Sequence, residues 1–247
     1  MIEVRGLTKI YPPSTVALRD VSLKIPDGQF VTVIGPSGAG KSSLLRCLNG
    51  LVAPTAGEIL IDGESLTAAR GEPRRRLVAR IGFVFQQFNL IKRLSVLDNV
   101  LVGRLSHVPE WRSLVGSFPR RDRVLADAVL ARVGLAELAH RRADTLSGGQ
   151  QQRVAIARAL VQEPRTILAD EPMASLDPAL SRTVMDLLRR INEEDGITVI
   201  TTLHVMDLAL AYGQRVIGLR DGRVVYDGGP AGVTDEIVDA IFGGGAR

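Results

Sequence analysis

The chain has 247 residues, 45% of them hydrophobic and 23% charged, with a formal net charge of +4. That length holds one large α/β domain with a lobe inserted, too little for two ordinary domains with linkers, and the composition is that of a globular protein. No cleavable leader and no apolar run of roughly 20 residues is visible, so neither a signal peptide nor a membrane span is expected, and the chain is assigned to the cytosol.

The chain opens with apolar alternation over Ile2–Leu7 and Val21–Ile25, which predicts antiparallel strands ahead of the turn Asp27-Gly28. Phe30-Val-Thr-Val-Ile34 is a β-branched run and predicts a buried central strand. It runs into glycines and then a helix over Lys41–Asn49 closed by Gly50. Cys47, the single cysteine, lies in that helix and reads as a small buried hydrophobe. Gly57–Gly63 is a further short strand, and from Asn89 to about Ala143 the pattern is helical, broken at Pro109 and Pro119. Then come a helix from about Gln150 that stops before Pro164, and strands at Thr166–Ala169, Thr198–Thr201 and Arg215–Leu219. The last of these forms a hairpin through Asp221-Gly222 with Arg223–Tyr226. Strands alternating with helices predict a mostly parallel sheet wound on both faces, with antiparallel edges. The basic runs Arg70–Arg80 and Phe118–Arg123 read as solvated helix faces or loops. Aromatics make up only 4% of the chain and none interleave with these runs, so no nucleic-acid partner is expected.

Gly35-Pro36-Ser37-Gly38-Ala39-Gly40-Lys41-Ser42 fits the phosphate-loop pattern and sits after a buried strand and before a helix. Glycines let backbone N–H groups turn inward around a phosphate, and the helix terminus adds its positive end. Lys41 supplies a point charge to the β- and γ-phosphates, and the Ser42 hydroxyl can ligate Mg²⁺. The strand ending Asp170-Glu171 sets one acid to hold the magnesium shell and a second, Glu171, to act as general base on a water in line with the γ-phosphate.

Leu146-Ser147-Gly148-Gly149-Gln150, with its continuation Gln151–Leu160, resembles the signature of ATP-binding-cassette ATPases. A serine and two glycines opening a helix make a second anion-binding terminus. The resemblance implies that this terminus closes on the ATP of a partner subunit. It covers essentially the whole chain and implies a P-loop NTPase core with a mostly parallel sheet, an antiparallel β subdomain and an inserted helical subdomain at about 89–163, all in one ATPase domain spanning residues 1–247. It also assigns Tyr11 to stacking on adenine, the loop from Gly35 to Ser43 to the phosphates, and Gln86 to the magnesium or the attacking water. Asp177 matches the loop that crosses the dimer interface, and His204 the histidine on the γ-phosphate. His107 and His140 match nothing in the family pattern.

No sustained heptads separate Lys41 from Asp170, and a single cassette is present, which sets the chain apart from the chromosome, repair and translation branches. What remains is a separate motor subunit bound to membrane proteins, and the resemblance implies a homodimer held at the cytoplasmic face by integral membrane permease subunits and served by a solute-binding protein. Within that branch three stretches resemble the ATPase of phosphonate importers: Pro109–Phe118, Ala169–Asp177, and Leu203–Ala209 with Tyr212–Leu219. The implied activity is ATP hydrolysis driving uptake of phosphonates or related phosphorus oxyanions. Alternatives are a motor for another small solute, or a soluble non-transport ATPase of the same superfamily. A carboxyl-terminal regulatory domain is not expected.

Overall fold

The computed structural model describes residues 1–108, 117–174 and 176–243. Residues 109–116, the larger part of one stretch that carries the phosphonate-importer resemblance, lie outside the described residues, as does Ser175.

Strands β1 (Ile2–Tyr11) and β2 (Thr15–Ile25) pair antiparallel from Ile2↔Ile25 to Tyr11↔Thr15. Both run beyond the limits that alternation predicts. Register shifts between Val4 and Leu7, Leu7 and Lys9, and Lys9 and Ile10 interrupt the ladder. Each shift flips the in/out pattern, so a period-two reading loses the outer half of the hairpin. Strand β3 (Phe30–Ile34) follows, buried along its whole length, then helix α1 (Lys41–Leu48), β4 (Ala56–Ile61), β5 (Glu64–Ser65), α2 (Gly71–Ala79) and β6 (Ile81–Val84). A helical lobe contains α3 (Val96–Leu101), a 3-10 segment at Val102–His107, α4 (Arg120–Arg132) and α5 (Gly148–Leu160). The chain then returns through β7 (Thr166–Asp170), α6 (Pro178–Asp195), β8 (Thr198–Leu203), α7 (Met206–Tyr212), the hairpin β9 (Arg215–Arg220) and β10 (Arg223–Gly228), and α8 (Asp235–Phe242).

The strands form a four-stranded antiparallel sheet, β2-β1-β4-β5, and a six-stranded sheet, β10-β9-β3-β8-β7-β6. In the second sheet only the β10 edge is antiparallel. Alternation along β3 divides the interior. Phe30 and Ile34 join the core shared with the helical lobe, while Val31 and Val33 join the core shared with α1 and the antiparallel sheet. The parallel sheet is therefore covered on both faces, which is why its central strands read as runs rich in β-branched and apolar residues without alternation.

The lobe departs from the expected helical run between Asn89 and Ala143. Residues 89–95 form no helix, and the buried Asn99 carboxamide satisfies the backbone of Ile91 and Ser95 instead. It accepts from Ile91 N–H at 2.8 Å and donates to the carbonyls of Ile91 and Ser95 at 3.1 and 2.9 Å. The basic run Phe118–Arg123 is also not wholly solvated. Its Asp122 turns inward to accept from Arg104 Nε at 3.1 Å, both residues being 4% exposed, and Arg104 reaches Glu163 at 2.8 Å. Through Arg104 the 3-10 segment is tied both to α4 and to the segment after α5.

Candidate functional site

Strands β3, β8, β7 and β6 lie side by side and parallel, so the residues leaving their carboxyl ends line one edge of the sheet. These are the loop from Gly35, then His204, then Asp170 and Glu171, then Gln86. Such an edge is the usual ligand site of open α/β sheets.

The loop between β3 and α1 is held close to its surroundings at both ends. Gly35 and Gly40 have φ of +151° and +101°. A Cβ on Gly35 would collide with the Leu219 carbonyl, and one on Gly40 with the Ala17 carbonyl. Only glycine combines these conformations with such close approach. Lys41, 5% exposed, curls under the loop and donates from Nζ to the carbonyls of Gly35 at 2.8 Å and Pro36 at 3.1 Å. Burial lowers the pKa of its ammonium, against the charges of Glu171 and Asp170, which raise it. A cleft of about 300 Å³ opens over the loop, lined by Thr15, Val16 and Ala17 on one side and by residues 37–43 and Glu171 on the other.

Asp170, 2% exposed, accepts at Oδ1 from Ser42 Oγ at 2.8 Å and Thr202 Oγ1 at 3.0 Å, and its Oδ2 lies 3.7 Å from Arg46 Nη2. Glu171 has a left-handed backbone, φ +45°, and its N–H donates to Thr202 Oγ1 at 2.8 Å. Its carboxylate accepts from Gln86 Nε2 at 3.2 Å and lies 3.7 Å from His204 Nδ1 and 4.0 Å from Lys41 Nζ. A carboxylate and a hydroxyl within hydrogen-bond reach, with the Gln86 amide just beyond the end of the next strand, make a hard oxygen donor set suited to Mg²⁺. Among the described residues no cluster of three or more His, Cys, Asp or Glu could hold a metal unaided. A cation bound here would need other oxygens, such as those of phosphates, to complete its shell.

Tyr11 is half-buried, its hydroxyl 3.4 Å from Ser43 Oγ and one ring face covered by Lys9 Nζ at 4.8 Å from the centroid. Ser37 and Gly38 are exposed, with Ala39 buried behind them. Ser147, Gly149 and Gln150 do not line this cleft. Ser147 and Gln150 close a reciprocal cap at the start of α5, with Gln150 N–H to Ser147 Oγ at 3.4 Å and Ser147 N–H to Gln150 Oε1 at 2.9 Å. Gly149 lies against Leu180 on α6, whose start is capped by Asp177 through 2.9 Å bonds from Ala179 and Leu180 N–H. The exposed Ser147 and Asp177 thus mark two neighbouring helix starts, with Gly148 half-buried and Gly149 buried between them.

Four contacts escape sequence reasoning: Thr202 on both acids, Arg46 on Asp170, Lys9 on Tyr11, and the wall from Thr15 to Ala17. A threonine two residues before His204 was the one available signal, a polar side chain ending a buried strand. A second cleft, of about 550 Å³, lies beside Gln86, bounded by residues 86–90, Lys92, Ala143, Asp144 and Gln151.

The family described as ABC transporter matches residues 18–174. Over 243 residues, 98% of this chain and 94% of the relative, the sequence is 51% identical to the phosphonates import ATP-binding protein PhnC 3 of Halalkalibacterium halodurans. It is 51% identical over 242 residues, with the same coverage, to the phosphonates import ATP-binding protein PhnC of Staphylococcus aureus. Among solved structures, the dimeric bacterial ABC transporter cassette MJ0796 superposes with a TM-score of 0.82 at 38% identity, covering 93% of this chain and 99% of that one. A post-hydrolysis dimer of the same cassette, bound to ADP and Pi, gives 0.81 at the same identity and coverage.

Proposed function

This chain belongs to the ABC transporter family, and from that premise we propose that it drives uptake of phosphonates or related phosphorus oxyanions. It is an ATP-hydrolysing subunit of an ABC importer. The observation that carries the solute assignment is 51% identity, over 98% of the chain, to a relative named for phosphonate import. The solute itself is selected elsewhere, by permease subunits and a separate solute-binding protein, so no residue here needs to touch it.

In this reading ATP lies along the loop from Gly35 to Ser43, its adenine on the free face of Tyr11 and its phosphates met by loop N–H groups and by Lys41. Ser42, Asp170 and Gln86 are the residues that would hold Mg²⁺, which neutralises phosphate charge when bound. Glu171 takes a proton from water as the water oxygen attacks the γ-phosphorus. The bond to the bridging oxygen breaks, leaving ADP and phosphate. Gln86 and His204, both within reach of the Glu171 carboxylate, orient the water and steady the γ-phosphate.

Two copies close head to tail, so that the partner subunit's Ser147, Gly149 and Gln150 complete each site, with Asp177 at the seam. The dimeric cassette with which this chain superposes supports that arrangement. The cleft beside Gln86 supports docking of a permease element there, where it would sense nucleotide through Gln86. Among the described residues no helix is long and apolar enough to cross a membrane. The chain is placed by this reading at the cytoplasmic face, held by its partners.

The deciding experiment is ATP hydrolysis by the chain assembled in lipid with its permease and solute-binding subunits, with and without an alkylphosphonate. Stimulation by phosphonate is the expected result. Stimulation only by a different solute would overturn the phosphonate assignment and leave the motor.

A further inference from the structure

Thr202 is wholly buried and sits opposite Asp170 in the parallel register of β7 and β8. Strand β7 ends at Asp170, so the next N–H, that of Glu171, leaves the ladder. The Thr202 hydroxyl takes it at 2.8 Å and donates its own proton to Asp170 Oδ1 at 3.0 Å. One hydroxyl, with one proton and two lone pairs, thereby engages two consecutive acidic residues in opposite senses. Glu171 at φ +45° is in a conformation that a residue with a Cβ keeps only where its surroundings impose it. Its carbonyl is held as well, accepting from Ala174 N–H at 3.1 Å. The contacts of the carboxylate itself, by contrast, come from the exposed Gln86 and His204 and from Lys41. The backbone anchor is the fixed point from which this side chain projects.

Resting on the assignment of Glu171 as general base, we propose that Thr202 is the positioning residue for that base. Its hydroxyl locks the left-handed turn at Glu171 and orients the Asp170 carboxylate with the same pair of bonds. Thr201 provides an internal contrast. It is equally buried, but its Oγ1 finds no partner among the described residues. The same substitution one position apart therefore removes a bonded hydroxyl in one case and an unbonded one in the other.

The test compares T202V, T202S and T201V in the full chain, measuring kcat, KM for ATP, thermal midpoint and amide-proton exchange at Glu171. T202V is expected to lower kcat about 10–100-fold with KM within about threefold, since a small misplacement of a catalytic group costs rate rather than binding. T202S keeps the hydroxyl and should recover most of the rate, and T201V should match the parent. Exchange at the Glu171 amide should accelerate in T202V and not in T201V. Where T202V does not fold, T202C, with a weaker donor and acceptor of similar size, supplies the same comparison. In an E171Q background T202V should cost much less than in the parent, because the part of its effect that acts through residue 171 is already lost. Undiminished kcat in T202V, a loss confined to KM, T202S as slow as T202V, or a full further loss in the E171Q background would each overturn the proposal. A different result, parental turnover by E171Q alone, would overturn the assignment of Glu171 as base.

Discussion

Replacing Glu171 by glutamine removes one negative charge and almost nothing else. The amide has the same length, and the backbone N–H of residue 171 keeps its 2.8 Å bond to Thr202. Lys41 Nζ, 4.0 Å from the carboxylate, loses one acid and retains the charge of Asp170 nearby. The side chain is 21% exposed, and ion pairs with that much solvent contact are worth about 1 kcal/mol or less, so stability should change by no more than that. Catalysis should change far more. A general base contributes about 10²–10⁴-fold, equivalent to about 3–5 kcal/mol of transition-state stabilisation. ATP binding should not weaken, because the lost charge faces the polyphosphate. The assay is steady-state phosphate release alongside equilibrium binding of a fluorescent ATP analogue and the oligomeric state in ATP. The expected variant binds nucleotide, accumulates as a closed dimer and hydrolyses slowly. Parental kcat would refute the base assignment, and lost ATP binding would refute the argument that the site survives the substitution.

Ser147→Arg removes a cap worth about 1 kcal/mol from α5 and blocks that helix start, so ATP binding should persist while ATP-driven dimerisation is lost; dimerisation by size-exclusion chromatography in ATP would count against a role in trans. Asp122→Ala strands the buried Arg104, although Glu163 still reaches it at 2.8 Å. The cost should be near the lower end of about 3–5 kcal/mol, lowering the thermal midpoint by about 6–12 °C, and a shift under about 2 °C would refute it. Cys47 is 1% exposed, and burial pushes its thiol up to about 11, so iodoacetamide at pH 8 should label it only in denaturant. Because the unfolded thiol ionises first, this group's contribution to stability is full below its unfolded pKa and is lost as pH rises towards about 11. A Cys47→Ala variant should lack that component of the alkaline decline.

The phosphate loop was legible from sequence because strand, glycines, lysine and helix are contiguous, and the physics of that turn is local. The same holds for β3, β7 and β8, whose runs of β-branched and apolar residues follow from burial on both faces. The β1–β2 hairpin was legible only in part, because bulges reverse the alternation on which its detection depends. Likewise the helical pattern predicted from Asn89 does not hold over 89–95, where the buried Asn99 bonds the backbone of Ile91 and Ser95. What tertiary structure alone decided are contacts between residues apart in the chain: Thr202 bridging Asp170 and Glu171, Arg46 facing Asp170, and Asp122 paired with Arg104. Each depends on which strand neighbours which and which way a side chain turns at the end of an element. Sequence periodicity carries the face of a strand, but the identity of the neighbour across the sheet arises only when the whole sheet is assembled.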